Sequence, residues 1–357
     1  MIRVIALTLV SSASCFAADT TDLMFDSWFS AGLYGSHYST SRGRSDFHDL
    51  LNFAPGDDLG LNNIFLGVRA TSSRLFGALT LQYGDIPRSG WDPDQPWLQE
   101  AWLGYHLTED IDVTAGAFTS ALGVESLMSY ENYSGIVSVP GFFDPGFYSG
   151  VQMTWKASSV TTVNTGVVSS FSDFSITSNI PSLSIGLTYV PQPDCNVSLQ
   201  TLISEEQVDV DDQYQLYTSM TGILRRHRMH FLTELNFCYE FANANNTASS
   251  TVSGLVGVYY DVTSSLQTGL RLEAMYDPDG ALADSRFDKP LPYNTLSMAG
   301  VTGTITYRPS SWSIIRADAR YLGVLDNRSF IEIEPDSRKR AEIVLSTDVY
   351  FLGLFQR

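Results

Sequence analysis

Ser311–Leu322 reads SWSIIRADARYL, and its residues sort into two sets taken at every second position. Ile315, Ala317, Ala319 and Tyr321 make one set; Arg316, Asp318 and Arg320 make the other. Side chains of an extended strand point alternately to opposite faces, so this spacing puts three charges on one face and an apolar stripe on the other. A helix would scatter both sets around its surface. The segment reads as a β-strand whose apolar stripe must be covered, either by protein or by lipid.

The same alternation recurs along the chain. In Asn62–Ser72, Ile64, Leu66, Val68 and Ala70 oppose Phe65, Gly67 and Arg69. Arg74–Gly84 gathers Leu75, Gly77, Leu79, Leu81 and Tyr83, and only Ser72-Ser73 separates the two segments, which suits a tight hairpin. Trp97–Leu107 sets Trp97, Gln99, Ala101, Leu103, Tyr105 and Leu107 against Leu98, Glu100, Trp102, Gly104 and His106. Leu266–Tyr276 carries Arg271 and Glu273 opposite Leu270, Leu272, Ala274 and Tyr276, and Met229–Glu240 carries Glu234. The last segment, Ala341–Phe355, alternates too, although its second face (Val344, Ser346, Asp348, Tyr350, Leu352) is less polar. Read through, the pattern predicts about fourteen to sixteen strands with no domain boundary. Phe330–Glu334 reads as an extension of the strand before it. Long connections such as Asp277–Asn294 contrast with short ones such as Pro309-Ser310, an asymmetry expected of a membrane barrel with short turns at one end.

Composition supports a lipid-facing sheet. Only 17% of the 357 residues are charged, although the apolar share is 44%. Ordinary soluble domains carry roughly a quarter charged residues. Ser, Thr, Asn, Gln, Gly and Tyr fill the deficit, as suits a wall that is polar without strong charge. After the first residues no run of roughly 18 uncharged apolar residues occurs, so no membrane-spanning helix is expected. A spanning sheet must then close, because hydrocarbon cannot satisfy open edges. Tyr83, Tyr105, Tyr276, Tyr307 and Tyr321, near strand ends on the apolar stripes, are expected at the membrane interfaces.

Residues 1–17 read as a secretory signal, with Arg3, the apolar run Val4–Val10 and a small-residue region ending at Ala17. Residues 18–357 are expected to form a single barrel domain. Cys15 lacks the large apolar residue that a lipid-attachment site would place before it. Cys195 and Cys238 fall on opposite faces of their strands, which argues against a disulfide, and neither has metal-ligand spacing. The formal net charge is −18, from 39 acidic and 21 basic residues, which repels nucleic acid.

Ser120–Gly150 breaks the rhythm. It holds Pro140, Pro145, several glycines and the run Phe142-Phe143-Asp144-Pro145-Gly146-Phe147-Tyr148. Such a segment is too long for a hairpin turn and too aromatic for a disordered tail. It reads as a folded loop that enters or caps a barrel, the alternative being an external loop with its own aromatic cluster.

Several stretches resemble one family. They are Leu81-Gln82-Tyr83-Gly84-Asp85, LQEAWLGYHLTEDIDVTAGAF (Leu98–Phe118), Gly123 and Glu125, and the aromatic span Tyr130–Gly150. LRLEAMYDPDG (Leu270–Gly280), Thr295–Pro309 and IIRADARYLGVLDNRSF (Ile314–Phe330) continue the likeness. In this order they are similar to the OmpL-like beta-barrel porin-2 proteins. The resemblance implies an outer-membrane β-barrel concerned with passive solute diffusion and, by analogy with general porins, a homotrimer. Outer-membrane barrels commonly finish on Phe or Trp, whereas here Gln356-Arg357 follow Phe355.

The function expected is a water-filled pore for small hydrophilic solutes or ions, leaning toward cations. Arg69, Arg271, Arg316 and Arg320 would oppose Glu100, Glu234, Glu273 and Asp318 in its lumen, making a transverse field and a polar path. Any of the eight could instead be a structural ion pair that fixes strand register. The rival reading is a non-conducting structural, adhesion or receptor barrel. No enzyme, metal or cofactor is expected: HExxH, GxSxG and P-loop motifs are absent from the sequence. His227 and His230 sit in the basic stretch Arg225–His230, which reads as a membrane-proximal turn.

Overall fold

The computed structural model describes residues 24–40, 59–85, 87, 94–169, 174, 180–208, 211–241, 248–278, 282, 296–325 and 339–352. The signal-like residues 1–17, the stretch 330–334, the terminal residues 355–357 and most of the 277–294 connection lie outside them.

Sixteen strands form one closed antiparallel sheet. In chain order they are β1 (Met24–Thr40), β2 (Leu59–Thr71), β3 (Leu75–Tyr83), β4 (Leu98–His106), β5 (Ile111–Thr119), β6 (Phe147–Lys156), β7 (Thr161–Val168) and β8 (Ser182–Gln192). They continue with β9 (Cys195–Val208), β10 (Asp211–Arg226), β11 (Met229–Glu240), β12 (Ser249–Asp261), β13 (Leu266–Asp277), β14 (Leu296–Ser310), β15 (Ser313–Val324) and β16 (Lys339–Leu352). Each strand pairs with its neighbours in sequence, and β1 closes on β16 from Trp28↔Leu352 to Thr40↔Arg340. Closure leaves no row of open backbone donors and acceptors for the hydrocarbon to meet.

One end of the barrel is trimmed close. The connections 72–74, 107–110, 157–160, 193–194, 227–228, 262–265 and 311–312 all lie there, each two to four residues long. Hydroxyls tie several of them: Thr108 Oγ1 accepts from the Asp110 and Ile111 amides at 3.2 and 3.0 Å, and Thr263 Oγ1 accepts from Ser265 and Leu266 at 3.2 and 3.0 Å. In the two-residue turn His227-Arg228, His227 takes φ 54°, as a tight hairpin requires. Connections at the opposite end are longer, apart from 209–210.

The outer face is apolar. Leu103 is 72% exposed, and Leu199, Leu235, Leu270, Leu272, Ile305, Ile315, Ile343 and Leu345 stand out around the circumference. Leaving so much apolar surface in water would forfeit about 25 cal/mol for each Å². Lipid removes that cost. Exposed Tyr105, Trp155, Tyr189, Tyr260, Tyr307 and Trp312 ring the short-turn end, and Tyr83, Tyr276 and Tyr321 lie toward the other. The five tyrosines expected at the interfaces are all on this outer surface.

Alternation carries most of the strand assignment through. Along β15, Ile315 and Tyr321 are exposed while Arg316, Asp318 and Arg320 are buried. It fails at the start of β4. The register runs Thr80↔Glu100 and then Leu81↔Leu98, so a bulge absorbs Gln99, which is 1% exposed instead of joining the outward stripe. Both Cys195 and Cys238 are free thiols.

Candidate functional site

Residues 120–146, between β5 and β6, do not stay outside. They leave the long-loop end, descend inside the barrel toward the short-turn end, and climb back to Phe147. Local chemistry shapes both limbs. Gly123 takes φ +80°, with the Asp144 carboxylate where a Cβ would stand, so a side chain there is excluded on both counts. Asn132 closes the lower bend: its Oδ1 accepts from Ser126 N at 2.7 Å and its Nδ2 donates to Ser126 O at 2.6 Å. Ser138 caps the one-turn helix α1 (Val139–Phe143), accepting from Gly141 N at 3.0 Å. Glu125 joins the limbs by accepting from Ser138 N at 2.7 Å.

The loop joins an apolar cluster that also takes in Tyr34, Phe118, Tyr148, Val168 and Leu202 of the other strands. Leu122, Ile136, Val139, Phe142 and Phe143 are buried with Tyr217, Met275, Met298, Leu322 and Val344 of the wall. Around this apolar contact runs a seam of charge. Arg271 reaches Glu125 at 2.6 Å and Glu273 at 3.5 Å, and donates to the Ile136 carbonyl at 2.9 Å. Arg320 pairs with Glu342 at 2.6 Å and Glu273 at 3.6 Å, and donates to the Val137 carbonyl at 2.9 Å. Arg316 pairs with Asp348 and donates to the Asn132 carbonyl at 2.8 Å. Wall carboxylates take the loop's amides in return. Glu234 accepts from Val124 N at 2.7 Å, Glu273 from Val139 N at 2.9 Å, and Asp318 from Gly135 N at 3.1 Å and the Ser134 hydroxyl at 2.8 Å.

This division of labour is physically economical. An irregular loop inside a barrel has backbone groups without ladder partners, and buried orphans cost about 1–3 kcal/mol each. Guanidiniums supply donors to the carbonyls and carboxylates supply acceptors to the amides, through hydrogen bonds strengthened by charge. Arg271, Arg316 and Arg320 are 1%, 1% and 2% exposed.

The loop also reaches the short-turn rim. Tyr133 stacks on Tyr259 with centroids 4.6 Å apart, lies 3.0 Å from His230 Nδ1 and accepts from Arg225 Nε at 3.1 Å. His230 in turn meets Asp261 at 2.8 Å. Tyr130 stacks on Tyr350 at 4.7 Å, and burial together with neighbouring Glu131 holds its hydroxyl above the usual tyrosine range. The basic turn expected around His227 is therefore real in position, and His230 serves there as a strut for the loop.

Of the eight residues singled out in the sequence, six come together under the loop: Glu234, Arg271, Glu273, Arg316, Asp318 and Arg320. Arg69 stands apart, exposed near the short-turn end and 5.7 Å above the Trp28 ring. Glu100 lies on the other side of the lumen, accepting from the Thr80 hydroxyl at 2.8 Å and Trp102 Nε1 at 2.9 Å.

The facing wall, β5 to β9, is built differently. Its inward residues include Thr114, Gln152, Thr154, Asn164, Ser184, Thr188 and Ser198, all partly exposed. Charge on this side is gathered at the short-turn rim, where Asp112 meets His106 at 2.6 Å and Lys156 at 3.7 Å.

A sixteen-strand barrel with an apolar belt, short turns at one end and a long loop folded into its lumen is the architecture of porins. The family described as "Putative beta-barrel porin-2, OmpL-like" matches residues 32–352. The chain belongs to this family. The porin is accordingly an outer-membrane protein. Among solved structures it resembles the outer membrane channel DcaP of Acinetobacter baumannii, with a TM-score of 0.61 and 14% identity over 92% of this chain and 97% of that one. An anion-selective porin of Comamonas acidovorans gives a TM-score of 0.62 at 9% identity, covering 92% and 99%. The trimer form of OmpT of Vibrio cholerae gives 0.58 at 12% identity, covering 92% and 99%. At such identities the likeness speaks for the fold alone. No curated protein matches the chain.

Sequence reasoning passed over several residues that complete the porin's seam: Glu125, Asn132, Asp144, Glu342 and Asp348. Two were recoverable from register. Glu342 lies directly across from Arg320, and Asp348 pairs with Ile314, one diagonal step from Arg316. Asp144, which accepts from Tyr217 and, at 2.8 Å, from Asn236, left no such trace.

Proposed function

We propose that this porin forms a water-filled pore for passive diffusion of small hydrophilic solutes across the outer membrane, with no catalytic step. One observation carries the reading: the loop's ion pairs and charged hydrogen bonds gather on β11 to β16, while inward Thr114, Gln152, Thr154, Asn164, Ser184, Thr188 and Ser198 of β5 to β9 keep part of their surface exposed. In this reading residues 1–17 are a removed signal, residues 18–357 make a single barrel, and lipid surrounds the outer belt. Three porins assemble together, a proposal that takes its cue from the trimer form of the Vibrio OmpT.

Seven of the eight residues take two roles here, and Arg69, exposed near the short-turn end, takes neither. The six under the loop set the bore by fixing where the loop lies, and Glu100 borders the aqueous side. Cations are favoured modestly over anions. The seam carries three guanidiniums (Arg271, Arg316, Arg320) against seven carboxylates (Glu125, Asp144, Glu234, Glu273, Asp318, Glu342, Asp348), and Glu131 is exposed on the loop. Surplus negative charge beside a low-dielectric wall raises the local cation concentration. The fold does not dictate this preference, since a barrel of similar shape is described as anion-selective.

Planar-bilayer recording tests the reading. Purified, folded porin is expected to give stepwise, persistent conductance, with a reversal potential in a KCl gradient on the cation side. A folded barrel that never conducts overturns it in favour of a closed structural or receptor barrel.

A further inference from the structure

We infer that the solutes this pore serves are uncharged and rich in hydroxyl groups, of the sugar or polyol class, and that they travel along the β5–β9 wall. The inference rests on the pore reading above and names what that pore admits.

The argument begins with register. Thr114 pairs with Gln152, Gln152 with Gly166 and Gly166 with Ser184, which lays one inward row around the wall. A second row runs Thr154, Asn164, Gly186 and Gln200. A third joins Thr188 to Ser198 and Ser198 to Thr221. None of these residues is charged. They are hydroxyls, primary amides and glycines, in a chain whose opposite wall holds three arginines and five carboxylates at comparable depth.

The glycines have a definite use. A Cβ at Gly166 would come within 2.7 Å of Gln152 Cγ, and at Gly186 it would collide with the Gln200 amide. Each long amide therefore lies flat over a glycine on the next strand instead of projecting across the bore. The hydroxyls are linked sideways: Thr154 donates to Asn164 Oδ1 at 2.9 Å, and Ser198 and Thr221 share a hydrogen at 2.7 Å. The result is a smooth surface of groups that both donate and accept.

That chemistry suits one class of solute. A hydroxyl both donates and accepts, so a wall of hydroxyls and amides can replace the water around a polyol bond for bond. An ion would meet only dipoles here, because this wall offers no formal charge to offset its own. The charges that could do so are committed elsewhere. On β11 to β16, Glu234, Arg271, Glu273, Arg316, Asp318, Arg320 and Asp348 bond the loop. On the near side, Asp112 is held by His106 and Lys156 at the rim, and Glu100 is held by Thr80 and Trp102. Glu131 is exposed on the loop and adds a mild cation preference without making the wall ionic.

Liposome swelling and bilayer recording on the same preparation test this. Arabinose and glucose are compared with gluconate and glucosamine, which differ in charge at similar size. Sugars are expected to enter at least as fast as either charged analogue, with potassium-to-chloride permeability within about threefold. Ser184→Lys and Thr114→Glu place opposite charges on the wall. They are expected to move the reversal potential in opposite directions, while heat-modifiable gel mobility reports that each variant is folded. Ion conductance with sugars excluded, or folded variants with unchanged selectivity, overturns the solute class and the route while the pore stands. Absence of both swelling and conductance overturns the pore itself.

Discussion

The wall from β10 round to β16 and the wall from β5 to β9 share one strand spacing and face one lumen, yet they treat charge in opposite ways. The first is dense in Arg, Asp and Glu, and Glu234, Arg271, Glu273, Arg316, Asp318, Arg320 and Asp348 among them bond residues 120–146. Among the described side chains, the second confines its inward charge to Asp112 and Lys156 at the rim and presents partly exposed hydroxyls and amides such as Thr114, Gln152, Asn164 and Thr188 beyond it. The contrast teaches that charge inside a barrel does not by itself mark the aqueous path. Charge is also the means by which a barrel satisfies a loop that has no ladder of its own.

The comparison breaks most readily at Arg271. Arg271→Ala strands Glu125 and Glu273 in a buried site, where removing one partner of an ion pair costs about 3–5 kcal/mol. Thermal unfolding followed by gel mobility should drop accordingly, and single-channel conductance should rise and become noisy as the loop loosens. Unchanged conductance and stability would show that the seam does not hold the loop. A covalent version sharpens the point. A Cβ built on Gly135 lies 3.5 Å from Ser346 Cβ, a separation that a disulfide accepts. The double variant Gly135→Cys, Ser346→Cys should therefore cross-link on oxidation with conductance equal before and after. Failure to cross-link would mean the loop rests elsewhere.

Smaller effects follow. Gly123→Ala forces a side chain into a left-handed backbone and against Asp144, and should cost about 1–2 kcal/mol in the same unfolding assay. The smallest effect belongs to the neutral wall's rim. Lys156 is half exposed, so Lys156→Met should shift stability by less than about 1 kcal/mol, and that shift should vanish at high salt. A large salt-resistant loss there would erase the difference between the two walls.

The fold was almost fully legible. Arg316, Asp318 and Arg320 opposite Ile315 and Tyr321 are enough to define a strand with a wet and a dry face, and repetition of that pattern yields the barrel. Strand ends were less legible. At Ser249–Thr251 both faces turn polar, so the period fades although the ladder continues. The seam was half legible: six of its charges share the inward phase, but what covers them does not follow from periodicity. Ser134 and Asp318 are 184 residues apart, and nothing local to either announces the other. The neutral wall left the weakest signal, because Thr, Ser, Asn and Gln in alternation look the same on a soluble sheet.

Closure of β1 on β16 has a bearing on how the molecule is assembled. That seam of thirteen residue pairs joins the two strands farthest apart in the chain. Contacts between distant segments form late, since the intervening chain must first be ordered. The inserted loop shares this fate: it is made before β11 to β16, and its anchoring carboxylates and guanidiniums come into place only when those strands do. Until then Leu122, Ile136, Val139, Phe142 and Phe143 lack Met275, Met298, Leu322 and Val344 to pack against. The nascent molecule is a sheet with two raw edges and an incompletely covered aromatic loop, a species prone to aggregate until the final strand arrives.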